Sequence, residues 1–240
     1  MRDARPPLTK DGKPRAFFGR RAGKGLNIRQ RQLVETLLPK VEIALDSTAV
    51  FEPQRYFEDG TAPLWVEIGY GGGEHLARLA MQNPKTNFIG AEVFSGGIGK
   101  MLEKIADAEL GNVRLFTGDA LDLLTRLGDS SVEGIYLLYP DPWPKSRHHK
   151  RRFVSATTLG ELERVIKRGG FFRVATDIED YANWVLAHMV RSRGFGWDAG
   201  AEGWHQPFEG WVPTRYETKA GREGRLRRFY FDFVRNTGKG

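Results

Sequence analysis

With 240 residues, 29 glycines, 12 prolines and no cysteine, the chain is long enough for one large core and carries neither a disulfide framework nor a thiolate nucleophile. No apolar run approaches membrane-spanning length, and the opening MRDARPPLTKDG lacks the apolar core of a secretory leader, so a cytoplasmic protein is expected. The net charge of +7 is segregated: residues 1–31 carry +8, residues 145–152 carry +5 and residues 215–240 carry +5, which leaves the rest acidic and points to a nucleic-acid partner. An anionic membrane is the rival, but no basic segment is also a long amphipathic helix.

Residues 1–27 are rich in Arg, Lys, Gly and Pro, with Phe17 and Phe18 as the anchors, and read as a basic arm. Residues 28–38, IRQRQLVETLL, fit a short helix stopped by Pro39, and residues 40–60 carry no clear pattern. From Leu64 strands and helices alternate. The strands are LWVEIGY, TNFIGAEV, NVRLFTG, EGIYLLYP and GGFFRVAT. Between them run GGGEHLARLAMQ, SGGIGKMLEKIADAEL, DALDLLTRL and a helical pattern within 151–168, and IEDYANWVLAHMV follows the last. That alternation predicts parallel βαβ units. RRFYFDFV, Arg227 to Val234, is a late strand. The expected organisation is an arm with its helix over 1–53 and one catalytic domain over 54–240.

The first strand ends in Glu67-Ile68-Gly69-Tyr70-Gly71-Gly72-Gly73. Glycines at Gly69 and Gly71 let the backbone turn sharply and a ligand approach closely, although the spacing departs from G-x-G-x-x-G. Glu92 closes the second strand about twenty positions on, where a ribose diol is held in such sheets or where an acid simply sits in a surface loop. Asp119 follows the third strand, where an adenine amino group is bound or where a carboxylate caps the next helix. Glu67 fits a buried structural acid as well as a ligand. Three acids at successive strand ends favour one shared ligand, either a nicotinamide dinucleotide or S-adenosylmethionine. A carboxylate beside the glycine turn opposes a pyrophosphate and suits a sulfonium, which selects S-adenosylmethionine.

The fourth strand runs into YPDPWPKSRHHKRRF, Tyr139 to Phe153. Three prolines in five residues make a stiff loop that holds Asp141 and Trp143 at a strand end. Lys145, Arg147, Lys150, Arg151 and Arg152 follow; as a helix's first turn they would oppose its dipole, so an anion is expected to offset them. Trp143 either stacks on a base or packs the loop. His148 and His149 read as phosphate or loop contacts, since no third ligand lies nearby, and no metal is expected.

EIGYGGGEHL, FIGAEVFSGGIGK, YPDPWPKSRHHKRRF and PTRYETKAGREGR resemble the bacterial tRNA (guanine-N7-)-methyltransferase family from about Gln54 onward. The P-D-P-W-P-K-x-R-H-x-K-R-R block is the specific part, and the glycine loop is generic to methyltransferases. Tyr139 stands where many members have Phe or Ser, and Glu-His follows Gly72-Gly73 in place of a larger apolar residue. The resemblance implies an α/β fold, a doubly wound, mostly parallel seven-stranded sheet of the class I methyltransferase (Rossmann-like) type. It implies S-adenosylmethionine contacts at Glu67, Glu92, Asp119 and Asp141. It implies substrate contacts at Lys145, Asp177, Thr214, Arg215, Tyr216 and Glu217, and RNA contacts from Arg147 through His148, His149, Lys150 and Arg151 to Arg152. The substrate implied is guanosine 46 in the tRNA variable loop. A monomer and a homodimer both fit.

Guanine N7 carries a lone pair and no proton, so its methylation needs alignment and a fixed negative charge rather than a base. Asp141 is the residue expected to supply that charge. Asp177 suits the guanine N1 or N2 edge, or else caps the helix at Ile178. Arg215, Tyr216 and Glu217 close over the base or staple their segment to the sheet. An RNA-binding protein without catalysis and a small-molecule methyltransferase are the competing readings.

Overall fold

Short apolar runs become the central strands: β1 (Leu64–Ile68), β2 (Asn87–Ala91), β3 (Val113–Phe116), β4 (Val132–Leu138) and β5 (Ile166–Thr176). They pair in parallel, and β6 (Phe195–Gly196) and β7 (Phe229–Arg235) complete a seven-stranded sheet of order β3-β2-β1-β4-β5-β7-β6. β7 runs antiparallel to both β5 and β6. The computed structural model describes residues 25–45, 51–197, 203–211, 213–214, 217, 221 and 227–237. The expected arm therefore lies, up to residue 24, outside the described residues.

Before the sheet come α1 (Ile28–Thr36) and α2 (Leu38–Val41). Between the strands come α3 (Glu74–Gln82), α4 (Ser95–Asp107), α5 (Ala120–Leu124), α6 (Ala156–Val165) and α7 (Glu179–Met189). Strand side chains alternate in direction, so each face of the sheet needs its own cover. Leu76, Leu79, Met101, Leu102 and Ile105 from α3 and α4 pack on Phe88, Val113 and Leu138. Leu123, Leu159, Leu162, Tyr181 and Val185 from α5, α6 and α7 pack on Val66, Ile89, Ile135, Phe172 and Phe231. This is the doubly wound arrangement that places a crevice at the carboxyl ends of β1, β2 and β4.

Several local expectations are corrected. Pro39 does not end the chain's helical course; it sits in the first turn of α2, where its missing N–H has no partner to lose. α1 docks on α4 through Arg29 with Asp107, and through Asn27 and Gln30, whose amides donate to Glu103 at 3.2 and 3.0 Å. In the stretch that carries no clear pattern, Glu42 and Ile43 lie along the edge strand β3, with the Ile43 amide donating to Leu115 O at 2.7 Å. The five cations of 145–152 do not form the first turn of a helix. Ser146–Arg151 is a separate 3-10 turn, and α6 starts later behind a capping box of Ser155 and Thr158. The premise that a helix dipole opposes those cations therefore falls.

Candidate active site

The glycine turn after β1 uses left-handed backbone, with φ of +69° at Gly69, +56° at Gly71 and +73° at Gly73. The turn is held from β2 by Glu92. One oxygen of its carboxylate accepts from Gly71 N at 2.9 Å, and the other from Val93 N at 2.9 Å and Phe94 N at 3.0 Å. α4 then packs so closely that a Cβ on Gly97 would run into the carbonyl oxygen of Gly71. Gly97→Ala is expected to lower stability by about 1–3 kcal/mol, because backbone must shift to admit the methyl group. Urea unfolding checks this, and an unchanged midpoint would show that the packing there has slack.

Beyond this turn opens a cleft of about 610 Å³. Ile68, Leu121, Leu137 and Leu138 give it an apolar lining; Glu92, Asp119 and Asp141 are its acids, and Lys150, Arg151 and Arg152 also line it. Gly69 and Gly71 line it as well. Asp119 caps α5, accepting from Leu121 N at 3.0 Å, while also facing the cleft. Burial pushes the Glu92 carboxyl up against the pull of its three backbone donors, and the charge of Asp141 pushes it further. Burial alone pushes the Asp141 carboxyl up. Neither carboxylate is ion-paired to a Lys or Arg among the described residues. Two acids on one cleft, each with its pKa raised and neither so paired, suit a positively charged ligand.

Glu67 departs from its expected place. It alternates out of line with Val66 and Ile68, is 3% exposed, and accepts from or shares a proton with His75 Nδ1 at 2.7 Å beneath the glycine turn. It is not among the residues that line the cleft.

The loop from β4 begins with Tyr139 N donating to Ala175 O of β5 at 2.8 Å. Tyr139 and Trp143 both adopt left-handed backbone, with φ of +48° and +44°, on either side of Pro140-Asp141-Pro142. Bulky residues rarely do so, and each such residue costs about 1–3 kcal/mol unless its surroundings impose it. Trp143 packs between Arg151, whose guanidinium lies 4.9 Å from the ring centroid, and His148, whose ring lies edge-on at 5.9 Å. His149 turns toward Trp184, with ring centroids 5.3 Å apart. Burial first, then Arg151, Arg147, Lys145 and Lys150, lowers the pKa of His148, which favours its neutral form. Lys145, Arg147 and Lys150 are exposed.

Arg152 stands apart from the other cations of the run. It is 4% exposed; its Nε donates to Pro142 O at 2.9 Å, and it is ion-paired to Asp180 of α7. The 3-10 turn carries it inward, while Arg147 and Lys150 are exposed.

Glu217 and Thr214 are also buried, at 7% exposure each. Thr214 Oγ1 accepts from Glu217 N at 3.1 Å. The Glu217 carboxylate accepts from Trp211 Nε1 at 3.0 Å and from Tyr230 OH at 2.7 Å, and is ion-paired to Arg228 at 3.3 Å. These bonds tie the Thr214 and Glu217 side chains to β7 and its surroundings. Arg215 and Tyr216 lie outside the described residues. Asp177 follows β5, two residues past Ala175, which is paired with Leu138. It is not the helix cap: α7 is capped by Ile178, with no side-chain hydrogen bond.

Sequence reasoning missed Ser155, Thr157 and Thr158, which line the far wall of the cleft. Ser155-Ala-Thr-Thr158 before an apolar run is a helix-start signal that marks this turn.

A sequence profile described as "Putative methyltransferase" matches residues 61–227. The chain is 47% identical over 221 residues to a tRNA (guanine-N(7)-)-methyltransferase of Agrobacterium fabrum, covering 92% of this chain and 95% of that relative. It is 46% identical over 222 residues to the protein of the same name in Rhodopseudomonas palustris, covering 92% of this chain and 88% of that one. Among solved structures, a 16S rRNA (adenine(1408)-N(1))-methyltransferase of Catenulisporales acidiphilia with cosubstrate SAM matches with a TM-score of 0.51 at 15% identity. That match covers 78% of this chain and 90% of the other, a likeness of fold.

Proposed function

The chain belongs to the tRNA (guanine-N7-)-methyltransferase family, and from that premise we propose that it transfers a methyl group from S-adenosylmethionine to N7 of guanosine 46 in the tRNA variable loop. The observation that carries this reading is the pair of carboxylates, Glu92 and Asp141, raised by burial and without a cation partner among the described residues, on one apolar-floored cleft. A nucleoside bearing a sulfonium fits that set, and a dinucleotide with its phosphates does not. Glu92 and Asp119 would hold the nucleoside part, and Gly69 and Gly71 would let it approach the backbone. Bound there, S-adenosylmethionine supplies an electrophilic methyl group.

The chain's own residues have three tasks. The apolar floor of Ile68, Leu121, Leu137 and Leu138 excludes water. Asp141 holds a negative charge where the purine becomes cationic, and no residue has to remove a proton from N7. Lys145, Arg147, Lys150 and Arg151 meet phosphates and steer the tRNA, and Asp177 accepts from the guanine edge. The proposed organisation is a basic arm with its helices over 1–53 and the methyltransferase domain over 54–240.

Incubation with methyl-labelled S-adenosylmethionine and bulk tRNA, then digestion and chromatography, tests the reading. The expected product is 7-methylguanosine, absent when the variable-loop guanine is replaced. Label in another nucleoside would redirect the assignment.

Arg147→Ala combined with Lys150→Ala removes two exposed cations. The slope of log K against log salt for tRNA is expected to flatten by about 1.4–1.8, at roughly 0.7–0.9 for each phosphate that is no longer neutralised. A filter-binding titration across salt reads it; an unchanged slope would take this turn out of the interface.

A further inference from the structure

Proline gives the Asp141 loop its stiffness and also takes away its donors. Pro140, Pro142 and Pro144 have no N–H, so the loop cannot anchor itself by a ladder of backbone bonds. Its carbonyls still need partners, and its left-handed ends at Tyr139 and Trp143 persist only if neighbours impose them. The residue that reaches both carbonyls beyond Asp141 is Arg152. Its Nε donates to Pro142 O at 2.9 Å and its Nη2 lies 3.5 Å from Trp143 O. The same guanidinium is ion-paired to Asp180 and stacks over two rings of α7, 4.9 Å from the centroid of Trp184 and 5.6 Å from that of Tyr181. Trp184 is itself pinned, its Nε1 donating to Val154 O at 2.8 Å.

We propose that Arg152 is a positioning residue for methyl transfer: it clamps the Asp141 loop to α7 by its fork of donors, and it does not contact RNA. Its side chain is 1% exposed, against 61% for Asp180, so the clamp closes from inside with its acid at the surface. A planar guanidinium can serve two carbonyls, a carboxylate and two aromatic faces together, whereas an ammonium cannot. Only the last cation of a run of five is used in this way, because the 3-10 turn ends at Arg151 and the chain then turns inward.

The proposal rests on the reading of Asp141 given above, and its test separates the two. Arg152→Met, Arg152→Lys and Asp180→Asn are compared with the parent at a temperature where each is fully folded. With saturating tRNA, the single-turnover methyl-transfer rate is expected to fall about 10²-fold in Arg152→Met and nearly as far in Arg152→Lys, with a smaller, about tenfold, loss in Asp180→Asn. The dissociation constant for tRNA and its salt slope should stay within about twofold of the parent, and in a further variant, Arg152→Ala, which leaves room for the small molecule, millimolar guanidinium should partly restore the rate. Full activity in Arg152→Lys, or a weaker tRNA complex with a flatter salt slope at an unchanged saturated rate, would overturn the clamp. If the parent itself makes no 7-methylguanosine, the reading of function has failed. The clamp is then decided by hydrogen exchange in the 139–153 peptide, which Arg152→Met should quicken; unchanged exchange would reject it.

Discussion

Asp141→Asn is expected to lower the methyl-transfer rate by about 10²–10³-fold while leaving tRNA affinity within about twofold and the melting temperature no lower than the parent's. The loss of rate follows from the charge: an amide of the same shape keeps the loop but cannot balance a purine that becomes positive. On the proposed reading affinity is carried by Lys145, Arg147, Lys150 and Arg151, and should not register the change. The stability result follows from the environment. Asp141 has no cation partner among the described residues, and burial of part of its side chain pushes its carboxyl up. A carboxyl raised in the folded state contributes most below its unfolded value, and that contribution is lost as pH rises through the folded value. At neutral pH the parent therefore bears the cost of an ionised, partly desolvated acid, and Asn removes it. The gap between the two proteins should close as pH falls toward that of free carboxyls. Turnover of the parent should fall over the same range as Asp141 is protonated. Melting curves and rates measured against pH test both halves. A variant that loses stability and rate together would make Asp141 a structural residue.

The parallel core was legible because its strands are short, nearly continuous apolar runs bounded by Gly, Asp and Asn, and its helices repeat every three to four positions. β6 was not legible: two residues, Phe195 and Gly196, carry no period. The cleft was legible as a set of strand ends, which topology alone brings together. What composition could not separate was one cation from the next. Arg151 and Arg152 are chemically identical neighbours, yet the first stacks on Trp143 near the cleft edge and the second is inside the molecule, because a 3-10 turn sets their phase. Glu67 was decidable in principle. Alternation from Val66 and Ile68 puts its side chain on the α3 face, and His75, eight residues later at the start of that helix, is within hydrogen-bonding reach. The left-handed backbone at Tyr139 and Trp143 had no signal, since neither residue type prefers it.

Glu217→Ala is expected to cost about 2–4 kcal/mol of stability, a fall in melting temperature of roughly 5–15 °C for a chain of this size. The carboxylate serves Trp211 Nε1, Tyr230 OH and Arg228 at once, and alanine leaves all three without it. Arg228 is partly exposed and can recover water, so the cost falls below that of a fully buried pair; the indole and the phenol cannot recover it as easily. Tyr230 matters beyond its own bond. It stands in β7 opposite Ala175 of β5, whose carbonyl holds Tyr139 N at the root of the Asp141 loop, and the Tyr139 ring is electrostatically coupled to Tyr230 and Glu217. Burial and the neighbouring Glu217 push the Tyr230 hydroxyl up to about 12, so it remains a donor at any working pH. Losing its acceptor should loosen the strand that braces the loop. Tyr230→Phe should reproduce part of the loss, and the double variant should cost less than the two single changes added, since both delete the same bond. A contact with the substrate would behave otherwise: the melting temperature would hold, the KM for tRNA would rise, and Tyr230→Phe would add its full effect. Thermal unfolding of the three variants without RNA, beside their KM for tRNA, separates a staple from a substrate contact, because only the staple is present in the free protein.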